Sequence, residues 1–309
     1  MNKLNLSQNY NNLDKDQTLY LSDVFEYTNL HKGPVLSIIS LNRNKIISGG
    51  EDGTIKVWLN ENGDKVKCVN TLLKHSGKVL CLLKLNEFTF SSGSDDQTLN
   101  IWCGFTDFYY CVNTFELASQ SVCLLKLNDK SSICGLQDGS IQIWNFENKL
   151  DNFPAHKESV LCLINFDNNR FFSGSKDTFI KAWNKTDNTF IKSMNNINPV
   201  ITLIKLNDST IVSGCRGKTL KIWNADNYAC VLNVLCNEPV ICSLRQSDTI
   251  FVNGIENDSL SIMEMNAGCR VRYEKKISCM AICLTQFKED YIAIGCVERS
   301  VILVKLNKL

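Results

Sequence analysis

Apolar and polar positions along the chain keep returning in one frame. In Val79–Trp102, VLCLLKLNEFTFSSGSDDQTLNIW, a continuous apolar run meets a short polar turn. A second run then ends in small residues, a Gly–Ser–Asp–Asp turn follows, and a third run ends in Trp. The frame recurs at Val35–Trp58, Ser121–Trp144, Val160–Trp183 and Val200–Trp223, and in weaker form at Val240–Met263 and Ala281–Val304. Seven copies stand about 40 residues apart, each with three runs of strand length and a fourth in the spacer. That period predicts an all-β fold, a seven-bladed β-propeller of four-stranded antiparallel blades.

The first run of a copy (Val35–Ile39, Val79–Leu83, Val160–Ile164, Val200–Ile204) is near-continuously apolar, which predicts burial on both faces between neighbouring blades. The turns after it, LNRN, LNEF, LNDK, DNNR and LNDS, are rich in Asn and Asp and tolerate left-handed backbone. Gly49, Gly93, Gly135, Gly174, Gly214, Gly254 and Gly295 share one phase at the end of the second strand, predicting a close approach between blades there. The seventh copy ends at Val304, and Lys305–Leu309 is too short for its fourth strand. Thr18–Thr28, TLYLSDVFEYT, reads as a strand and stands before His31 as TLLK stands before His75. It is predicted to be the outer strand of the last blade, so that the N-terminal strand pairs with the C-terminal blade and closes the ring without an open edge. The domain reading is a polar, flexible N-terminal tail over 1–17 and one propeller over 18–309. Its repeat cores are 31–58, 75–102, 117–144, 156–183, 196–223, 236–263 and 277–304.

Charge and cysteine content narrow the function classes. Lys and Arg total 33 against 32 Asp and Glu, so no net field favours nucleic acid or an anionic membrane. No apolar run reaches spanning length and the N-terminus has no signal-peptide core, so neither membrane insertion nor secretion is expected. The 15 Cys include no CxxC pair, and Cys81, Cys123, Cys162, Cys242 and Cys283 fall at one repeat phase where Ser37 and Thr202 stand in the other copies. Cys there acts as a small hydrophobe, and thiols in such number persist in a reducing compartment: the cytoplasm, or else the nucleus.

The Gly–x–x–Asp turn with Trp nine residues after the Gly resembles the WD-repeat (WD40) propeller family, and the resemblance runs from Thr18 to Val304. Trp58, Trp102, Trp144, Trp183 and Trp223 keep the motif's Trp, while the Asp that usually follows is replaced by Leu59, Cys103, Asn145, Asn184 and Asn224. The resemblance implies a buried hydrogen-bonded group of His, Ser, Asp and Trp within a blade. Three copies have all four members: His31, Ser48, Asp52 and Trp58; His75, Ser92, Asp96 and Trp102; His156, Ser173, Asp177 and Trp183. Two copies are partial, Asp138 with Trp144 and Ser213 with Trp223, and the last two blades keep little of the group.

These residues also bear on catalysis. Ser, His and Asp together invite a hydrolase reading. All three His in the protein, however, recur at the structural phase, each matched to a turn Asp. No metal-ligand spacing is present, and Gly49–Gly50 is not a phosphate loop. The chain is therefore expected to have no catalytic residue, no metal and no cofactor.

By the same resemblance, partners dock around the channel mouth, on the face shared by the d–a and b–c loops. Three repeat phases are implied there. The first holds Pro34, Lys78, Gln120, Ser159, Pro199, Pro239 and Met280. Two residues later come Leu36, Leu80, Val122, Leu161, Ile201, Ile241 and Ile282, and the third phase holds Glu51, Asp95, Gln137, Lys176, Arg216, Glu256 and Val297. The aliphatic set either packs the inner strands or forms an apolar ring inside a charged rim, with Glu51 and Asp95 on one side and Lys176 and Arg216 on the other. Phe105, Phe108, Tyr109 and Tyr110, in an extended c–d hairpin, are a second candidate anchor. The expected function is a non-catalytic protein-interaction scaffold or adaptor, a subunit of a hetero-complex that binds a protein or peptide. A ubiquitin-ligase substrate receptor is the alternative, although the chain has no Trp-Asp-x-Arg motif; a propeller enzyme ranks below it.

Overall fold

The computed structural model describes residues 3–5, 19–27, 30–60, 66–128, 131–145, 147–265 and 268–308. All regular structure among them is β, arranged as seven four-stranded antiparallel blades. In blade 1 strands a to d are Val35–Asn42, Lys45–Gly50, Ile55–Asn60 and Val66–Leu72. Those of blade 2 are Val79–Lys84, Thr89–Ser94, Thr98–Phe105 and Phe108–Glu116. The order repeats in blade 3 (121–154), blade 4 (160–195), blade 5 (200–235) and blade 6 (240–276). Blade 7 takes strands a to c from Ala281–Phe287, Tyr291–Cys296 and Val301–Lys308, and its strand d is Leu19–Tyr27. That N-terminal strand runs antiparallel to the last one, with Leu19 opposite Lys308 and Tyr27 opposite Val301, and so closes the ring. Thr18 and Thr28, the ends of the expected strand, lie outside the described residues. Of segment 1–17, Lys3–Asn5 is described; it runs parallel to strand d of blade 5, opposite Asn233–Leu235.

The core lies between blades. One apolar cluster joins Leu41, Ile47, Val57 and Leu72 of blade 1 to Val79, Phe90 and Trp102 of blade 2, and each is at most slightly exposed. A side chain such as Phe90, wholly buried, contributes about 2–3 kcal/mol by leaving water. The recurrent Gly of strand b makes the approach of blades possible. A Cβ on Gly49 would come 2.5 Å from Val79 Cγ1 of blade 2, and one on Gly295 would come 2.8 Å from Val35 Cγ1 across the closure. The small residue on strand a faces the same seam: Cys123 Sγ lies 3.3 Å from Val160 O, and Cys162 Sγ 3.6 Å from Val200 O. At the other end of strand a, long polar side chains clip blades 3, 5 and 6 each to the one before. Lys126 Nζ donates to Leu85 O at 3.2 Å, Lys205 Nζ to Phe166 O at 2.8 Å, and Arg245 Nε to Leu206 O at 2.6 Å.

Candidate functional site

Strands b and c and the loop before strand a bring the polar group together inside each complete blade. In blade 1, Trp58 Nε1 donates to Ser48 Oγ at 2.8 Å, Ser48 Oγ lies 2.8 Å from His31 Nε2, and His31 Nδ1 is 3.1 Å from Asp52 Oδ1. Blade 2 repeats the chain from Trp102 to Ser92 (2.8 Å), His75 (2.7 Å) and Asp96 (2.9 Å). In blade 4 it runs from Trp183 to Ser173 (2.8 Å), His156 (2.7 Å) and Asp177 (2.9 Å). One proton arrangement satisfies every partner: Nδ1–H donates to the carboxylate and Nε2 accepts the serine proton. Burial pushes all three imidazoles below their ordinary pKa despite the adjacent carboxylates, so they are neutral. Burial also opposes ionisation of Asp52, but hydrogen bonds from Lys32 N–H, Thr54 and His31 outweigh it and hold the carboxyl near 2. Ser48, Ser92 and Ser173 are 0% exposed, and each oxygen is already taken by an indole. A hydrolytic nucleophile must meet a carbonyl carbon, and these hydroxyls cannot.

The incomplete blades differ in kind. Blade 5 keeps a shorter chain in which Trp223 Nε1 donates to Ser213 Oγ (2.9 Å) and Ser213 donates to Asn196 Oδ1 (2.9 Å). Asn196 stands 27 residues before Trp223, the spacing of the His in the complete copies, so an Asn at that phase was the signal for it. Blade 3 has Leu117 and Cys134 at the His and Ser phases, and the buried Trp144 Nε1 has no hydrogen-bond partner among the described residues. Its turn carboxylate, Asp138, is exposed and accepts from Ser140 N (2.9 Å) and Ser140 Oγ (2.7 Å). Blade 7 fills the same space with Ile277, Ile294 and Val304.

Backbone hydrogen bonds build the channel-mouth face. The residue before the turn Asp, or before its substitute, donates N–H to the carbonyl of the residue before strand a. This joins Glu51 to Pro34 (2.9 Å), Asp95 to Lys78 (3.1 Å), Gln137 to Gln120 (3.0 Å), Lys176 to Ser159 (3.0 Å), Glu256 to Pro239 (3.1 Å) and Val297 to Met280 (3.2 Å). The first and third phases therefore share one face in six blades. On strand a, Leu36, Leu80, Val122, Leu161, Ile201, Ile241 and Ile282 are all half-buried, while the residue before each of them is buried. Between blades 3 and 4 the face opens into a pocket of about 470 Å³ lined by Val122, Leu161, Gln120, Gln137, Asp138, Lys157, Glu158, Ser159 and Lys176. The rim charges are partly neutralised in place. Lys78 pairs with Glu51, Lys176 lies 3.5 Å from Glu158, and Lys218 lies 2.9 Å from Glu238. Asp95 is half-buried and Arg216 exposed. In the aromatic hairpin Tyr109 is buried, whereas Phe105, Phe108 and Tyr110 are exposed.

Comparison with known proteins bears on this geometry. The family model for the WD domain, G-beta repeat, matches residues 25–58, 66–103 and 147–184, which hold the three complete His–Ser–Asp–Trp groups. No curated protein is similar to the chain at the level of sequence. Among solved structures, the crystal structure of the WD40 beta propeller domain of Doa1 matches with a TM-score of 0.79, over 93% of this chain and 97% of that one, at 18% identity. At that identity the likeness is one of fold. The three matched repeats, together with the closed ring of seven four-stranded blades, support the WD-repeat (WD40) family for this chain and show its β-propeller fold.

Proposed function

We propose that the protein is a non-catalytic interaction scaffold, an adaptor subunit of a hetero-complex that holds a peptide or protein at its channel mouth. The observation that carries this reading is the aliphatic phase of strand a. It is half-buried in all seven blades, and in six of them it lies two residues after the carbonyl that joins the d–a and b–c loops. An apolar centre with a polar rim has the anatomy of a protein interface. Rim groups of both signs, Asp95 towards blade 2 and Arg216 towards blade 5, favour a partner segment that is itself polarised. Fifteen free thiols fit a reducing compartment, cytoplasm or nucleus.

The test is affinity capture from the native cell, comparing wild type with a Leu80→Asp/Ile201→Asp variant whose circular dichroism is unchanged. A discrete partner set that falls at least tenfold with the variant is expected, as for loss of a central hot spot of about 2 kcal/mol. Partners retained in full by the variant would move the site off the mouth. A variant that does not fold would assign the ring to the core instead.

A further inference from the structure

Three phenylalanines gather at one corner of blade 2, on the face opposite the channel mouth. Phe88 sits in the a–b turn, and Phe105 and Phe108 end the paired c and d strands. They are 53%, 66% and 78% exposed. Gly104 N–H donates to Phe88 O at 3.0 Å, which ties the a–b turn to the c–d hairpin, and the rings of Phe88 and Phe105 lie 6.0 Å apart. Phe105 and Phe108 are direct partners across the hairpin, so the three side chains form one patch. The corresponding c–d connections carry exposed polar residues, Thr186 and Asp187 in blade 4 and Asp226 and Asn227 in blade 5, and the one aromatic among them, Tyr228, is half-buried beside Phe172.

The patch is held in shape from below. Tyr109 is buried against blade 1, and a Cβ on Gly104 would come 2.5 Å from its ring, so a side chain there would push the hairpin off its seat. Asp107, in the two-residue turn between Phe105 and Phe108, is clamped twice to blade 1. Lys45 Nζ lies 3.2 Å from its carboxylate, and Asn70 Nδ2 donates to its carbonyl at 3.1 Å. Rigid presentation lowers the ordering cost of binding, as expected of an anchor surface.

We propose that this aromatic corner is a second docking surface, for a short linear segment of a partner protein that carries an aliphatic or aromatic anchor beside a basic residue. Size argues for a short segment. The three rings together expose about two whole phenylalanines, roughly 400 Å² at about 200 Å² each, whereas a stable folded partner or second copy needs about 800 Å² per side. Charge selects the basic neighbour: Asp107 is already paired with Lys45, while Glu87, next to Phe88, is exposed and has no salt-bridge partner among the described residues. The corner is independent of the channel mouth and is read out separately from it.

A random 12-residue phage-displayed library would be panned against the folded protein, and enriched peptides would be synthesised and titrated by fluorescence anisotropy. Peptides with an apolar residue next to Lys or Arg are expected. Their affinity should fall at least tenfold for Phe105→Ser/Phe108→Ser and severalfold for Glu87→Lys, and stay unchanged for Leu80→Asp. Circular dichroism confirms that each variant is folded; because the two Phe are exposed, their exchange leaves the core intact. The proposal is overturned by any of three outcomes: no enrichment, peptides that bind the double variant as well as wild type, or peptides lost only with Leu80→Asp. A self-association in sedimentation equilibrium that disappears with the double variant would also overturn it, by making the occupant a second copy.

Discussion

Blades 2 and 3 are neighbours with the same strand frame and opposite interiors. Ser92 pairs with Asn100 across strands b and c of blade 2, and Cys134 pairs with Gln142 at the same place in blade 3. Inside blade 2 the indole, hydroxyl, imidazole and carboxylate satisfy one another, and Asn100 Nδ2 adds a contact 3.1 Å from His75 Nε2. Inside blade 3, Trp144 Nε1 and Gln142 Oε1 are buried without partners among the described residues. The backbone is nonetheless the same, so strand pairing, the Gly phase and the apolar seams set blade geometry. The polar group stabilises a blade whose shape is already determined.

The turn carboxylates are the most direct way to break that comparison. Asp96, with its side chain 9% exposed, receives His75, Ser76 N–H, Thr98 N–H and Thr98 O–H. Asp96→Ala strands a buried imidazole and two backbone donors, and should cost about 3 kcal/mol. Asp138→Ala removes an exposed carboxylate that, among the described residues, serves only Ser140, and should cost about 0.5–1 kcal/mol. Urea unfolding of both variants measures the difference; equal losses would mean that the imidazole adds nothing to the role of the carboxylate in the turn.

Acid should act on blades 1, 2 and 4 through their histidines. In the unfolded chain each imidazole takes up a proton near 6.5, but in the folded blade burial holds its pKa below that value. The unfolded state therefore binds more protons in the window beneath 6.5, and stability that is complete above 6.5 declines as pH falls through it. The carboxylate partners add loss of the same sign at lower pH: Asp52 moves from 3.8 unfolded to about 2 folded. The urea midpoint should be level from pH 8 to 7 and lower at pH 5.5. A midpoint that rises on acidification would show that the imidazoles are charged in the folded protein.

Legibility in the sequence followed the kind of atom involved. The ring and its seams were readable because Gly93, Cys81 and the apolar strand a recur as side chains. The joining of Asp95 to Lys78, or of Gln137 to Gln120, was not, because it uses backbone N–H and C=O groups common to every residue. The closing strand was placed correctly from its position before His31, but the shift between Leu21 and Val24 in its pairing left no mark on the sequence. In the aromatic hairpin, residue type did not say which ring turns inward. Tyr109 does so because blade 1 offers it an apolar seat beneath Lys45, whose Nζ stands 5.7 Å from the ring centre. Asn196 and Leu117, by contrast, were open to reading at the His spacing.

The smallest effect is also the most specific. Trp58, Trp102, Trp183 and Trp223 each donate to a serine at 2.8–2.9 Å, and Trp144 meets Cys134 at that phase. Cys134→Ser would place an oxygen acceptor where the other blades have one. Ser121 Oγ, 2.9 Å from Cys134 Sγ, is at hand to receive the new hydroxyl's proton. One satisfied buried indole should be worth about 1 kcal/mol, set against a few tenths for the smaller atom. The variant should therefore unfold at slightly higher urea, and its Trp144 indole N–H should exchange more slowly with solvent by NMR. A lower midpoint with unchanged indole exchange would mean that blade 3 is adapted to sulfur packing, and that its missing hydrogen bond is not a defect to be repaired.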